Sequence, residues 1–151
     1  MQKITISIIK KPPQIIEVGK NRKTIDSKEY EIAVDDNVVC FLKRSDVNQC
    51  YKGRKTIIQE AINLSPIVPK FQQIIKVSGE LLLERLKEFI ETDIDRMKII
   101  EIQSTEREVL SLPWEAIQLE YGSLIGDIQK VLFVRSFKVY HQNFPIISKD
   151  D

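Results

Sequence analysis

Apolar residues change their spacing partway along the chain. From Lys3 to Ile9 they fall on every second position, with Ile4, Ile6 and Ile8 on one side and Thr5 and Ser7 on the other. That alternation is the mark of a half-buried strand. From Lys70 to Glu91 they recur every third or fourth position, at Phe71, Ile74, Ile75, Leu82, Leu86, Phe89 and Ile90. This is the stripe of an amphipathic helix whose apolar side faces a core rather than a cofactor. A chain with both patterns reads as mixed α and β, helices laid on a sheet.

The remaining segments fit that frame. Pro12-Pro13 ends the first strand, and the polar stretch Gly19 to Lys28 reads as a loop. Tyr30 to Val34 and Val38 to Leu42 are strand-like runs around Asp35-Asp36-Asn37, which predicts a β-hairpin near the N-terminus. Thr56 and Gln59 have capping-box spacing ahead of Ile57, Ile58, Ala61, Ile62 and Leu64, so a short helix is expected there, broken by Pro66 and Pro69. Gly79 falls inside the long periodic segment at a cost of about 1 kcal/mol, which points to a close packing contact. Met97 to Ile102 returns to strand. Leu112-Pro113-Trp114-Glu115-Ala116-Ile117 reads as the first turns of a helix, with proline at the first position and glutamate near the positive end. Lys130 to Phe137 reads as a strand ending at Arg135. The expected order is β-β-β-α-α-β-α-β in one domain, residues 1–151, of class α/β, with α+β as the alternative.

Composition narrows the function classes. The chain has 23 basic and 22 acidic residues, a formal net charge of +1, and these charges are interleaved. The densest basic stretches, Lys20-Asn21-Arg22-Lys23 and Lys52-Gly53-Arg54-Lys55, sit at turn-like sites and read as solvated loops. No basic stripe supplies the counterion release on which nucleic-acid affinity rests, so no nucleic acid is expected as a partner. No apolar run approaches the roughly 20 residues that span a bilayer. The alternating start, followed by Lys10 and Lys11, lacks the apolar core of a signal peptide, so a cytoplasmic protein with no membrane partner is expected.

Nothing self-contained for catalysis is present. Cys40 and Cys50 are the two cysteines and His141 the single histidine. Neither a disulfide framework nor zinc-ligand spacing can be made from them, and no cofactor or metal is expected. Cys40, inside Val38-Val39-Cys40-Phe41-Leu42, reads as a buried and inert thiol. Cys50 lies in a polar segment and reads as exposed. A nucleophilic thiol needs a base within hydrogen-bond reach. A Cys50–His141 dyad is the candidate pair, and no local sequence shapes either site. The chain alone is not expected to be an enzyme.

The most distinctive stretch is Ile99-Ile100-Glu101-Ile102, then Leu112-Pro113-Trp114-Glu115, then Val131-Leu132-Phe133-Val134-Arg135. In this order and spacing it resembles the front part of CHAT domains, the bacterial caspase-like cysteine peptidases related to separase. The resemblance runs from about Phe71 to Phe137, roughly half the chain. It implies a caspase-like α/β fold, present here in part, with a mixed sheet and flanking helices. It also implies cysteine endopeptidase activity in bacterial defence or regulated cell death. The family's catalytic histidine stands downstream in a His-x-x-Gly-His-Gly-like motif, and its cysteine beyond a further strand. His141 is followed instead by Gln142-Asn143-Phe144, so no catalytic residue carries over. Leu112, Pro113, Trp114, Glu115 and Arg135 do, in architectural roles. Read from the residues alone, Trp114 is a core anchor, and Glu115 and Arg135 are placed to pair between the helix and the following strand.

Three readings follow. The chain is the non-catalytic front portion of a CHAT-type peptidase, a self-contained protein-interaction module on the same scaffold, or an unrelated α+β binding protein. Val131, Phe133 and Phe137 alternate toward one face, and Phe144, Ile146 and Ile147 lie near the end of the sequence. An apolar edge of this kind recruits a partner. Homodimerisation, or binding to the catalytic half of a peptidase, is the expectation.

Overall fold

The computed structural model describes residues 2–52, 67–119, 125–128 and 130–138. The first strand, β1 (Gln2–Lys10), forms where the isoleucine alternation predicts it, with Ile4, Ile6 and Ile8 buried. The predicted hairpin is β4 (Glu29–Val34) and β5 (Asn37–Lys43). Asp35 and Asp36 both take positive φ, 46° and 70°, the backbone of the two-residue turn whose twist matches that of the strands it joins. Asp35 also ties the turn to β1: its backbone N–H donates to the Thr5 carbonyl at 2.9 Å, and its carboxylate accepts from the Thr5 N–H at 3.0 Å.

The stretch read as a loop between Gly19 and Lys28 is instead the second arm of another hairpin, β2 (Gln14–Val18) and β3 (Asn21–Ile25), turned at Gly19 with φ +65°. Every residue of both strands is exposed, so no alternation of buried and exposed positions existed for the sequence to reveal. An eight-residue helix, α1 (Arg44–Tyr51), also went unread, although Val47 and Cys50 lie three apart and both are buried. Up to Tyr51 the expected order therefore gains two strands and a helix. The predicted helix around residues 56–64 lies outside the described residues.

The long periodic segment is two helices, α2 (Ile67–Ser78) and α3 (Glu80–Glu91). Pro69, read as a breaker, sits in the first turn of α2, where a missing N–H costs nothing. The break comes at Gly79, and the close contact there is with the preceding turn of α2 rather than with another element. A Cβ there would stand 2.9 Å from the Ile75 carbonyl oxygen, which the Gly79 N–H approaches to 2.8 Å. After α3 the chain enters β6 (Lys98–Ser104), then the short α4 (Arg107–Leu110), a 3-10 turn at Trp114–Ala116, another at Ile125–Asp127, and β7 (Val131–Phe137). Leu112–Ile117 is thus no helix start. β7 runs two residues past Arg135.

Five strands form one mixed sheet in the order β5-β4-β1-β6-β7. β5, β4 and β1 are antiparallel neighbours, while β1, β6 and β7 run parallel. The register sets Ile4 and Ile6 beside Ile100 and Ile102, and these join Val47, Phe71, Ile75, Leu82 and Leu86 in one core between sheet and helices. The opposite face carries Lys3, Thr5, Glu101, Gln103 and Ser136 by strand alternation. Two polar side chains reach into the core side with their bonds made. Lys98 Nζ donates to the carbonyls of Ile90 and Asp93, both at 2.9 Å, closing the C-terminal end of α3. Ser104 Oγ donates to the Ile8 carbonyl at 2.7 Å and accepts from the Glu106 N–H at 3.0 Å, turning the chain from β6 into α4.

Candidate functional site

The Leu112-Pro113-Trp114-Glu115 stretch packs at the carboxyl end of the parallel strands, the end of an α/β sheet where sites are usually built. Trp114 is fully buried. Its ring meets Phe71 of α2 edge-on, with centroids 4.9 Å apart at 78°, and Nε1–H donates to the Val109 carbonyl at 2.9 Å. The indole therefore fills the core and satisfies its one polar atom. Gln72 Nε2 of α2 donates to the Ala116 carbonyl at 2.6 Å. The Ile125 N–H bonds the Ile117 carbonyl at 3.1 Å. Gly126 lies so close behind Glu115 that a Cβ there would stand 2.9 Å from the glutamate's own.

Arg135 is the link from this turn to the sheet. It stands on β7 opposite Ile102 of β6, on the helix-bearing face. Nε donates to the Leu110 carbonyl at 2.8 Å and Nη2 to the Leu112 carbonyl at 3.0 Å. Nη1 and Nη2 also engage the two carboxylate oxygens of Glu115 in a bidentate pair. One planar guanidinium thus binds two backbone carbonyls and a carboxylate, a fork that lysine could not reproduce. Burial is the largest single effect and disfavours ionisation of Glu115, but the hydrogen bonds from Arg135, a backbone hydrogen bond and the Arg135 charge together outweigh it, and the carboxyl is held below its ordinary range.

Beside this clamp lies an open cleft lined by Val68, Arg107, Leu110, Pro113, Glu115 and Phe137. The Arg107 guanidinium sits 5.3 Å from the centre of the Phe137 ring, within cation–π range. β7 is the last strand of the sheet, so its outer edge borders the cleft with unpaired backbone groups among the described residues. Leu132 and Phe137 on that strand are about half exposed, at 52% and 45%. Val131 and Phe133, predicted on one face with Phe137, do share the helix side by register. Phe144, Ile146 and Ile147 lie outside the described residues.

The thiols offer no nucleophile. Cys40 is buried as expected, and burial pushes its pKa up to about 11. Cys50, read as exposed, is buried on the inner side of α1. Burial raises its pKa too, against a lowering by Lys70 and with a further rise from Asp46. His141 lies outside the described residues. Among the described residues no group of three or more His, Cys, Asp or Glu side chains could hold a metal ion, and no helix is long and apolar enough to cross a membrane.

Two polar centres escaped the sequence reading. Glu101 is buried on the far face of β6, an interior strand between β1 and β7. Its Oε1 faces the Lys3 ammonium at 2.6 Å without a donor aligned for a directed hydrogen bond, and Oε2 accepts from Ser136 Oγ at 2.5 Å. Glu108 joins α4 to two tyrosines: Tyr30 Oη donates to its carboxylate at 2.8 Å and Tyr51 Oη to its carbonyl at 2.6 Å. For Glu101 the one available signal was a lone carboxylate between isoleucines in a strand that lies inside the sheet. Compared with models of known families, with characterised proteins and with solved structures, the chain matches none.

Proposed function

We propose that this chain is the non-catalytic front portion of a CHAT-type, caspase-like cysteine endopeptidase, a structural platform on which a catalytic part bearing the histidine and cysteine docks. The single observation that carries the reading is the Arg135 clamp. The guanidinium fixes the Leu-Pro-Trp-Glu turn against β7 and leaves the outer edge of that strand beside an apolar-rimmed cleft. A strand edge next to a rigid cleft is suited to receive a further strand. The two thiols support a non-catalytic role, since both are buried and both are held protonated by burial. The same burial favours a second reading, a self-contained protein-interaction module that uses the edge without any peptidase part.

The test is to follow the reading frame past Asp151 and the adjoining genes for a His-x-x-Gly-His-Gly stretch with a later cysteine, and to express that segment joined to this chain. The proposal expects endopeptidase turnover that depends on the added histidine and cysteine and falls when Arg135→Ala unpins the platform. Absence of any such segment, or turnover indifferent to Arg135→Ala, would overturn it in favour of the interaction module.

A further inference from the structure

The β2–β3 hairpin exposes residues of a kind that water does not favour. By its register, Ile16 stands opposite Lys23, Val18 opposite Asn21 and Ile25 opposite Gln14, all on one face. Ile16, Val18 and Ile25 are 39%, 61% and 47% exposed. On the other face the charge is already balanced, Arg22 Nε lying 3.3 Å from Glu17 Oε1, whereas no ion pair engages Lys20 or Lys23 among the described residues. A lone two-stranded hairpin is marginal in water, and of its four exposed aliphatics three lie on this face while Ile15, 67% exposed, stands alone on the other, so covering this face gains the most. The segment is also a local excess of positive charge. Gln14 to Ile25 holds three basic residues and one acidic, which leaves 20 basic and 21 acidic in the rest of the chain, and the neighbouring Lys10 and Lys11 are already paired with Glu106 and Glu29.

A surface of the opposite character runs along the helices. Val77 and Leu81 are 71% and 54% exposed. Glu84, Glu88 and Glu91 follow Leu81 at intervals of three and four residues and are exposed, so they share its side of α3. No ion pair engages these three glutamates among the described residues. They crowd toward the negative end of a helix dipole, which disfavours them, and α3 has no basic residue in its last turn. The stretch from Leu81 to Glu91 is about 15 Å long, and each hairpin strand about 17 Å.

We infer that the aliphatic, basic face of the β2–β3 hairpin docks on the aliphatic, acidic stripe of α2 and α3 in a second copy of this chain. Ile16, Val18 and Ile25 cover Val77 and Leu81, and Lys20 and Lys23 meet Glu84 and Glu88. The two surfaces differ, so the contact either repeats head to tail or is made twice, reciprocally, across a two-fold axis. It involves neither Arg135 nor the β7 edge, and stands or falls apart from the platform reading.

The experiment is light scattering on the whole chain over a range of concentrations, at low and high salt. The inference expects a mass that rises with concentration near 50 mM salt and falls back toward the monomer near 500 mM, where the Debye length is only a few ångströms. The variant K20E/K23E and the variant E84K/E88K should each stay monomeric alone, with unchanged far-ultraviolet circular dichroism. Mixed together they should associate again, since each then offers the surface the other lacks. A wild-type chain that stays monomeric throughout would overturn the inference, even if the hairpin bound anionic vesicles or polyanions. So would association that both variants leave intact, or a mixture that fails to associate.

Discussion

Arg135 and Glu115 lie 20 residues apart in sequence, yet the guanidinium of one meets both carboxylate oxygens of the other in a bidentate pair. The same arginine reaches the Leu110 and Leu112 carbonyls. This single side chain therefore replaces the helix that the Leu-Pro-Trp-Glu sequence suggested. It satisfies carbonyls that a continuing helix would have bonded internally.

Acid should weaken the fold through two carboxylates. The Lys3 ammonium, then the Ser136 hydroxyl, hold Glu101 down to about 2 against the opposing effect of burial. Glu115 is also held below its ordinary range, burial being outweighed by Arg135 and a backbone hydrogen bond together. Both stabilising contributions are complete above the ordinary carboxyl value of 4.5, and that of Glu101 is lost as pH falls from there toward 2. Acid titration followed by circular dichroism should show Lys3→Gln unfolding at higher pH than the parent chain. Superimposable acid transitions would contradict the Lys3–Glu101 contribution.

Trp114 should govern stability. Truncating a buried tryptophan costs roughly 3–5 kcal/mol, so Trp114→Ala is expected to be unfolded or to melt far below the parent. Trp114→Phe keeps a ring against Phe71 but loses the bond to Val109, and should cost less. Urea denaturation would rank the three. Iodide should barely quench the fluorescence of this one tryptophan until the chain unfolds.

Neither thiol should react in the folded chain. Both are buried and burial raises both pKa values, while it is the thiolate that attacks. Ellman's reagent near neutral pH is expected to label Cys40 and Cys50 only after denaturant is added. Consistent with that, the isolated chain should not cleave peptides. Prompt native labelling of Cys50, or turnover abolished by Cys50→Ala, would restore it as a nucleophile.

Where a residue's neighbours in sequence are also its neighbours in space, the sequence was readable. Ile4, Ile6 and Ile8 announce β1, and the Asp35-Asp36 turn announces the hairpin that follows. Trp114 was legible as a core anchor because it is the one indole in the chain and stands among apolar residues, and Glu115–Arg135 as a pair from their places beside the Trp114 turn and on the following strand. β2 and β3 were missed because both of their faces meet solvent and no period survives. Cys50 was misread because its flanking residues are polar, whereas the helical spacing from Val47, which turns it inward, carries only two apolar positions. Glu101 was missed because its burial depends on β6 lying between β1 and β7, a fact of topology that no local window contains.

Arg135 holds the Pro-Trp-Glu turn to β7 as architecture. A double-mutant cycle on Glu115→Ala and Arg135→Ala, read by denaturant unfolding, tests it most directly. Half-exposed pairs often contribute little, but a bidentate arginine that also binds two carbonyls should couple by about 1 kcal/mol or more. Arg135→Ala should cost more than Glu115→Ala, since only the arginine change also releases Leu110 and Leu112. A coupling indistinguishable from zero, with both single variants as stable as the parent chain, would contradict the claim.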